Sequence, residues 1–414
     1  MPATNPRRKA RPGAARVAAS SSAGASQAAG RKVIGGNAQA HVKPAPAASA
    51  QSRHLFSPPF TRAVCPKRRP FQVRPIHARS FSLAMCILLA TNFLCRTFAS
   101  PDPMNPIRIG KTTLKISPLA YGCWRIAGGW EARKVTAKAR EAGVKALLAA
   151  QEAGYTLFDL ADIYCEGVSE ELMGLALKQS KALKKSAVIA TKCGIRVPES
   201  NEPFRYDLSA DYIVQSCEKS LQRIGINCID IYQLHRPDWL MDPAEVAKAF
   251  AKLKKAGKVK HFGVSNFNPS QVSCLQSALK EPLVVNQIEA SLMHLDPFEN
   301  GTLDQCLERG ITPMAWSPLA GGFLGNGKKS VLPSQEKYKP AKVRRRLDLM
   351  ARDFGVSRGA VALAWLMRHP AGIIPIVGST QPERIRELAA ATELQLSHEQ
   401  WYALLTSALK EDLP

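Results

Sequence analysis

Four polar residues of this sequence each lie at or just beyond the end of a short apolar run. Asp159 and Tyr164 belong to the first run, Lys192 closes the second, and His235 closes the third. If the three runs are neighbouring strands of a parallel barrel, their carboxyl ends meet at the face where such barrels keep their chemistry. A carboxylate, a phenol, an ammonium and an imidazole brought together suit proton transfer to a carbonyl oxygen.

Each of the four residues has an expected role. A tyrosine in water has a pKa of about 10, so Tyr164 donates a proton usefully at neutral pH only beside a cation, which Lys192 can supply. Asp159 would offset the cost of burying that ammonium, and His235 could orient the substrate oxygen. Taken singly, a strand-end lysine is more often a solvated rim residue and a lone histidine a structural one. Four such residues at successive strand ends favour the catalytic interpretation.

Proton transfer alone reduces nothing, so the later strand ends are expected to hold a hydride carrier. Ser265, Asn266 and Gln287 could bind a carboxamide such as that of nicotinamide, and Trp316 could stack on its ring. For Trp316, packing in the core is an equally good alternative. Because no GxGxxG follows the first strand, a Rossmann domain is not the carrier.

Two segments near the C-terminus predict contacts to the phosphates of that carrier. Gly321 and Gly322 would let backbone amides approach a pyrophosphate, with an ordinary turn as the alternative. Ser379 and Arg384 follow the last strand at a helix start, where phosphate binding is favoured. Arg384 beside hydroxyls fits a 2′-phosphate, hence NADP over NAD, with a solvent-exposed surface arginine as the alternative. The other residues expected at the cofactor site are Gly122, Ser317, Leu319 and Gly378.

The elements that must position these residues alternate between strands and helices. This alternation is typical of βα units with a parallel sheet, and eight strands indicate closure into a (β/α)8 TIM barrel. Before them, residues 107–117 predict a β-hairpin that turns at Gly110 and caps the floor of the barrel. The predicted strands are residues 118–123, 155–159, 187–192, 229–235, 261–265, 283–288, 312–317 and 373–377.

Capping signals place several helices between and after the strands. Asp242 is placed as an N-cap, Pro243 as the first helical residue and Gly257 as a helix stop. Ser397 with Gln400 predicts a capping box. Further predicted helices cover residues 384–391 and 397–409.

The N-terminal quarter of the chain differs in composition from the rest. Residues 1–104 contain sixteen Lys and Arg but one acid, Asp102, and so carry +15 of the formal net charge of +24. They are rich in Ala, Pro, Ser and Gly and have no helical or strand period, which predicts a disordered basic extension. Residues 105–414 are predicted to form the barrel domain.

Several interpretations of this extension compete. Its Arg- and Ser-rich, acid-poor composition resembles an organellar transit peptide, and the apolar residues 83–95 imitate a secretory signal. That apolar stretch is shorter than the roughly 20 residues that span a bilayer. A start site placed too far upstream, with Met104 opening the foldable sequence, is the favoured interpretation and predicts a cytoplasmic protein. A nucleic-acid arm has the charge but lacks interleaved aromatic residues, so the barrel is expected to bind neither nucleic acid nor membrane.

The ten cysteines show neither a CxxC pair nor a Cys/His cluster at metal-ligand spacing. This pattern argues against a zinc site and against a disulfide framework. Reduced, mostly buried thiols are expected, and no metal site.

Together these residues resemble the aldo-keto reductase family over roughly residues 105–414. The run of residues 235–242 is similar to the bacterial YdhF-type branch of that family. The segments that carry the resemblance are Asp159 with Tyr164, Lys192, His235, residues 263–267, Asn286 with Gln287, residues 316–319, and Gly378 with Ser379 and Arg384.

The resemblance implies a (β/α)8 barrel that reduces an aldehyde or ketone to an alcohol with NADPH. In it Tyr164 would be the proton donor, Asp159 and Lys192 its tuning pair, and His235 the substrate-orienting residue. A small-molecule carbonyl compound would be the partner. The implied cofactor contacts are Ser265, Asn266, Gln287 and Trp316 to the nicotinamide, and Ser379 and Arg384 to the adenosine phosphate.

The chain departs from the family pattern at two positions. Many members carry a lysine where this chain has Gly378, and an asparagine where it has Leu388, so NAD stays open as the nucleotide. A second functional interpretation is a catalytically silent NADP-binding barrel that acts as a sensor or accessory subunit. Residues 194–211 are predicted to form a polar loop over the barrel mouth that bears on substrate choice. The sequence specifies neither the physiological substrate nor the oligomeric state.

Overall fold

The structure, a computed structural model, describes residues 104–198, 203–327, 330–411 and 413. The predictions made for the basic extension, residues 1–104, therefore lie outside the described residues except at Met104. Met104 itself is buried and packs in the core of the barrel domain.

Eight parallel strands close into a barrel in which each strand pairs with the next barrel strand along the chain. The (β/α)8 prediction is confirmed: every predicted strand is present, and the bounds differ by at most two residues. The barrel strands are β3 (Ala120–Gly122), β4 (Leu157–Asp159), β5 (Val188–Cys193), β8 (Ile229–Leu234), β9 (Val259–Ser265), β10 (Leu283–Glu289), β11 (Thr312–Trp316) and β12 (Ile374–Val377).

The N-terminal hairpin closes the amino end of the barrel, as predicted. Its strands β1 (Ile107–Arg108) and β2 (Lys115–Ile116) pair antiparallel. The backbone N–H of Gly110 donates a hydrogen bond to the hydroxyl oxygen of Thr312 at 2.6 Å, and Thr312 is the first residue of β11. Gly110 has φ +48°, and a Cβ there would lie 2.8 Å from a backbone oxygen, so this turn requires glycine.

The barrel lumen is apolar in its lower part and polar at its carboxyl end. Side chains of alternate strand residues fill the lower part, and burying each large one contributes about 1.5–3 kcal/mol. Above them lie the buried polar residues Asp159, Lys192, Gln233 and Gln287. The apolar layer consists of Ile109, Ile116, Ala120, Leu157, Val188, Ala190, Ile231, Val284, Val285, Met314, Ile374 and Ile376.

Helices surround the barrel, and their ends carry the predicted caps. The Asp242 carboxylate accepts a hydrogen bond from the Ala244 N–H at 2.8 Å, and Ser397 with Gln400 forms the capping box. The helices are α1 (Ala137–Glu152), α2 (Val168–Gln179), α3 (Lys181–Ser186), α4 (Ala210–Ile224), α5 (Pro243–Lys255), α6 (Pro269–Ala278), α7 (Asp296–Glu299), α8 (Thr302–Arg309), α9 (Pro340–Phe354), α10 (Arg358–Met367), α11 (Pro382–Ala389) and α12 (His398–Ala408).

The segment predicted as a plain loop over the barrel mouth contains a second antiparallel pair. Strands β6 (Ile195–Arg196) and β7 (Arg205–Tyr206) pair across it, with residues 199–202 outside the description. Strands of two residues are too short to show a period-2 pattern, so they could not be predicted from the sequence.

Two further features concern the described residues as a group. None of their helices is both long enough and apolar enough to cross a bilayer. Their seven cysteines form no disulfide, and five of the seven are buried.

Candidate active site

The ammonium of Lys192 is fully buried at the carboxyl end of β5 and is surrounded by acceptors. Its Nζ lies 2.8 and 2.9 Å from the two carboxylate oxygens of Asp159, 2.7 Å from the Leu160 carbonyl oxygen and 3.1 Å from the Tyr164 hydroxyl. Burial by itself would lower the pKa of Lys192, but the charges of Asp159 and Tyr164 outweigh it and raise the pKa. With no exposed surface, Lys192 is not a solvated rim residue.

Asp159 is held from a second side by an amide. Gln287 lies on β10, across the barrel from β4, and its Nε2 donates to Asp159 Oδ1 at 2.7 Å. The carboxylate therefore receives hydrogen bonds from Lys192 and Gln287 together, which fix its position. Gln287 thus has a role in fixing Asp159 that the sequence did not predict.

Tyr164 lies in a tight turn between β4 and α2. The next three residues, Cys165, Glu166 and Gly167, have φ of +50°, +54° and +91°, a left-handed run that is costly for the two residues with a Cβ. Burial raises the pKa of the Tyr164 phenol, although Lys192 opposes that shift. The phenol is therefore protonated at neutral pH and can act as a donor.

His235 follows β8 and faces the same phenol. Its ring and that of Tyr164 are arranged edge to face, with centroids 5.9 Å apart and an interplanar angle of 76°. Burial, and then the charges of Lys192 and Arg236, hold the pKa of His235 well below its ordinary value. Nδ1 of His235 is buried and has no hydrogen-bond partner within the described part of the chain. The imidazole is neutral at pH 7 and can share a hydrogen bond with a ligand oxygen.

A hydrogen-bond network ties the ends of four neighbouring strands together. The indole N–H of Trp316 donates to Asn266 Oδ1 at 2.9 Å, and Asn266 Nδ2 donates to Ser265 Oγ at 2.8 Å and to the His235 carbonyl oxygen at 3.3 Å. The hydroxyl of Ser265 donates to the Gln287 carbonyl oxygen at 3.0 Å. These bonds hold the Trp316 ring at the carboxyl end of the barrel, where it lines the cleft and also packs against the apolar layer of the lumen.

The residues after β12 form the far end of the site. The Tyr121 hydroxyl donates to the Ser379 carbonyl oxygen at 2.9 Å and fixes this loop. Arg384 is the third residue of α11, is exposed, and has no carboxylate within ion-pair distance among the residues the structure describes. Gly122 is needed beside this loop, because a Cβ there would lie 2.8 Å from Ile376 Cγ2. Gly378 beyond it has open space around its Cα.

The segment after β11 has an unusual backbone. Ser317 and Ala320 have φ of +50° and +51°, and Gly321 and Gly322 have φ of +68° and +100°. Positive φ at residues with a Cβ is characteristic of functional loops. Further along, Asn326 Nδ2 donates to Glu387 Oε1 at 2.6 Å and links this segment to α11.

These groups line one cleft of about 480 Å³ at the carboxyl end of the barrel. Fourteen of the fifteen predicted site residues face it, and the fifteenth, Lys192, lies directly behind Asp159 and Tyr164. Residues lining the cleft that the sequence analysis did not single out include Trp124, Arg125, Trp130, Arg236 and Asn326. Trp124 and Arg125 could have been found, because they follow β3 as directly as Tyr164 follows β4.

The predicted nucleotide-binding residues and the proton-handling residues come from different halves of the barrel. The residues predicted to bind a nucleotide follow β9, β10, β11 and β12, which are four consecutive strands of the barrel, with Gly122 on the adjoining β3. The four proton-handling residues belong to β4, β5, β8 and the loops after them. Asp159, Tyr164 and His235 thus lie where the two halves meet.

Comparison with known proteins identifies the class. The model of the Aldo/keto reductase family, a family of oxidoreductases, matches residues 118–407. The chain belongs to the aldo-keto reductase family. This confirms the predicted family.

Similar proteins support the assignment. The chain is 41% identical over 320 residues, 75% of this chain and 99% of the relative, to 6-dehydroglucose reductase of Novosphingobium aromaticivorans. It is 39% identical over 264 residues, 63% of this chain and 85% of the relative, to oxidoreductase YdhF of Escherichia coli, as the predicted branch requires. The solved thermostable aldo-keto reductase Tm1743, in complex with the inhibitor epalrestat, shares 28% identity and a TM-score of 0.62 over 73% of this chain and 100% of its own.

Proposed function

We propose that this oxidoreductase reduces an aldehyde or ketone to an alcohol with NADPH, using Tyr164 as the proton donor. The observation that carries the proposal is the contact between the Tyr164 hydroxyl and the buried Lys192 ammonium, 3.1 Å apart at the head of the cleft. A phenol alone is a poor acid at pH 7. A fixed cation beside it stabilises the phenolate that proton donation leaves behind.

The described residues fit a nicotinamide dinucleotide. The amide and hydroxyl groups of Ser265 and Asn266 lie beside the Trp316 ring at the head of the cleft. At its far end Arg384, whose guanidinium forms no ion pair among the described residues, lies in the first turn of α11, where a helix N-terminus also favours a phosphate. Between them the left-handed residues Gly321 and Gly322 keep the lining free of side chains. When bound, the nicotinamide supplies a hydride.

The residues of the chain supply the rest of the reaction. A substrate carbonyl oxygen accepts hydrogen bonds from the Tyr164 hydroxyl and the His235 imidazole, which fix its distance from the donor. As negative charge develops on that oxygen, the phenolic proton moves to it. Lys192 holds the resulting phenolate, and Asp159 keeps Lys192 charged in its buried position. Solvent then returns a proton to Tyr164.

The preference for NADP over NAD rests on Arg384. An arginine can form paired hydrogen bonds to a 2′-phosphate. Glu387 also lines this part of the cleft and accepts a hydrogen bond from Asn326, so its carboxylate opposes part of the attraction between Arg384 and a phosphate. Neither Gly378 nor Leu388 adds a cation near the phosphate. We therefore expect a smaller preference for NADP over NAD than in a relative that carries a lysine at the position of Gly378.

The reductases of 6-dehydroglucose among the relatives suggest a substrate class. Two such proteins, from Novosphingobium aromaticivorans and Agrobacterium fabrum, are matched over 99% and 97% of their length at 41% and 38% identity. The substrate in their name, 6-dehydroglucose, is a sugar whose C6 carries an aldehyde. We therefore extend the proposal to aldehydes of polyhydroxylated compounds.

The alternative of a catalytically silent nucleotide-binding barrel is not favoured. Burying a lysine costs free energy because its ammonium loses its hydration, and nucleotide binding alone does not require that cost. Lys192 is nevertheless buried and hydrogen-bonded to both Asp159 and Tyr164. A protein that only senses NADP would not require this arrangement.

The experiment is a spectrophotometric screen for oxidation of NADPH, with NADH in parallel, over aliphatic aldehydes, sugar aldehydes, ketones and quinones. We expect turnover of at least one aldehyde, with kcat/KM higher for NADPH than for NADH. Conversion of Arg384 to Met should raise the KM for NADPH more than that for NADH. Absence of turnover on the whole panel, with NADPH still bound by fluorescence titration, would support the silent barrel instead.

A further inference from the structure

Two tryptophans that the reaction does not require line the cleft. Trp124 and Trp130 lie in the loop between β3 and α1 and are 43% and 58% exposed. Their rings meet edge to face with centroids 5.0 Å apart and an interplanar angle of 66°. Large aromatic side chains gain free energy from burial, so two adjacent indoles left open to the cleft form a surface suited to a ligand.

The loop that carries these two residues is firmly anchored. Ile126 and Ala127, which lie between the tryptophans, are 2% and 1% exposed and pack in the core. Helix α1 approaches them through Gly143, where a Cβ would lie only 2.3 Å from the Ile126 carbonyl oxygen. This close approach requires glycine. The two indoles are thus presented on a fixed base, which lowers the entropic cost of binding against them.

This surface lies where the nucleotide half of the cleft meets the catalytic half, because β3 lies between β12 and β4 in the barrel. Trp124 follows Cys123, whose N–H donates to the Asp159 carbonyl oxygen at 2.9 Å, and β3 pairs with β4, which leads to Tyr164. The nucleotide residues on β9 to β12 do not include either tryptophan. A compound whose carbonyl group meets Tyr164 can therefore extend along the two indoles.

The polar group beside this surface is a guanidinium. That of Arg125 lies 5.4 Å from the Trp124 ring centroid, and Arg125 lines the cleft. Arg125 forms no ion pair within 4.0 Å among the described residues. A guanidinium has five N–H donors in a flat fork, which can bridge two adjacent hydroxyl groups.

Resting on the proposed function, we infer that Trp124 and Trp130 form a binding surface for the ring of a sugar aldehyde. The C–H face of a pyranose packs on the indoles, Arg125 donates hydrogen bonds to its hydroxyl groups, and the exocyclic aldehyde reaches Tyr164. Indole combines an apolar face with a polar edge, which matches the alternation of C–H and O–H groups around a sugar ring. Trp130 is in this way a residue that determines specificity.

The test compares three aldehydes with the purified full chain and NADPH. They are a methyl glucopyranoside oxidised to the aldehyde at C6, butanal and benzaldehyde. Trp130→Ala is expected to lower the ratio of kcat/KM for the pyranoside to that for butanal by about tenfold, the size of one aromatic contact. Trp130→Phe, which keeps an aromatic face, should recover most of the ratio. Trp239→Ala is the matched control, because Trp239 is 97% exposed and outside the cleft.

Each outcome decides the inference. A fall in the pyranoside ratio for Trp130→Ala, rescue by Phe and no change for Trp239→Ala support it. If the wild type reduces butanal but Trp130→Ala changes kcat/KM equally for the pyranoside and for butanal, the protein is a reductase but the proposed sugar-binding surface is wrong. A loss larger for benzaldehyde than for the pyranoside identifies a general apolar wall and also overturns it. If the wild type oxidises NADPH with none of the three, the proposed function fails first.

Discussion

The Nζ atom of Lys192 lies 3.1 Å from the hydroxyl oxygen of Tyr164, although 28 residues separate the two along the chain. The contact forms because β4 and β5 are neighbours in the barrel and both deliver their last residues to the same end. It couples the acidity of the phenol to a cation that the Asp159 carboxylate keeps charged. The chemistry of the site therefore depends on this pair of residues and on the carboxylate behind them.

Replacing Asp159 with Asn tests that dependence. The substitution leaves the Lys192 ammonium buried without its counter-charge, which typically costs about 3–5 kcal/mol. We expect a loss of this size in the free energy of unfolding, measured by urea denaturation, together with a fall in kcat of about a hundredfold or more. The double variant Asp159→Asn with Lys192→Met should regain stability but not activity. A single variant as stable as the wild type would contradict the assigned pairing.

The pH dependence of stability tests the state of His235. Burial, followed by the charges of Lys192 and Arg236, keeps its pKa well below 6.5 in the folded protein, whereas the unfolded chain has a pKa of about 6.5. The unfolded state then binds more protons in the acidic range, so stability falls as the pH drops below neutrality. The free energy of unfolding should decrease more between pH 7.5 and 5.5 for the wild type than for His235→Gln. An equal decrease would show that the pKa of His235 is the same in the folded protein as in the unfolded chain.

Asp162 should change the stability of the protein with pH in the direction opposite to His235. Burial and the charge of Glu170, opposed by Arg223, raise its pKa to about 8, while an unfolded aspartate has a pKa of about 3.9. Because the folded state holds the extra proton between these values, this residue's contribution to stability is lost as the pH rises through about 8. Asp162→Asn should gain stability relative to the wild type on going from pH 5 to pH 9. Denaturation curves at the two pH values measure this, and a constant difference between the proteins would refute it.

The fold was predictable because its signals are local. Strands and helices alternate, and capping residues such as Asp242 and Ser397 mark where helices begin. Each of these caps has the hydrogen bonds that the residue types predict. The strand ends then follow from parallel pairing, which explains why Lys192 and Tyr164 could be placed together. The two-residue strands β6 and β7 could not be predicted, because pairing across the chain rather than local pattern defines them.

The missed parts of the site depend on tertiary contacts. The role of Gln287 in holding Asp159 requires two residues 128 positions apart to meet across the barrel. Trp124 follows β3 and could have been assigned to the cleft, but Trp130 lies farther along the loop, and only the folded structure shows that it lines the cleft.

The C-terminal helices are expected to be held by a pair of tryptophans. Trp365 of α10 and Trp401 of α12 stack with centroids 5.0 Å apart and 12° between the ring planes. Each indole N–H donates to the carbonyl oxygen of the other residue, at 3.1 and 3.0 Å. Trp365→Ala should cost about 3–5 kcal/mol of stability in urea denaturation. The exposed Trp239→Ala should stay within about 0.5 kcal/mol of the wild type, and a similar effect of both substitutions would disprove a specific role for the stack.

The most direct measurement of the central claim is turnover of Tyr164→Phe. Removing one oxygen leaves the ring, the turn and the cofactor residues in place, so the dissociation constant for NADPH, measured by fluorescence titration, should stay within about threefold of the wild type. The proton donor is lost, and kcat with an aldehyde substrate of the wild type should fall by about 100-fold to 10,000-fold. A Tyr164→Phe protein that binds NADPH and reduces the same aldehyde at the wild-type rate would contradict the account.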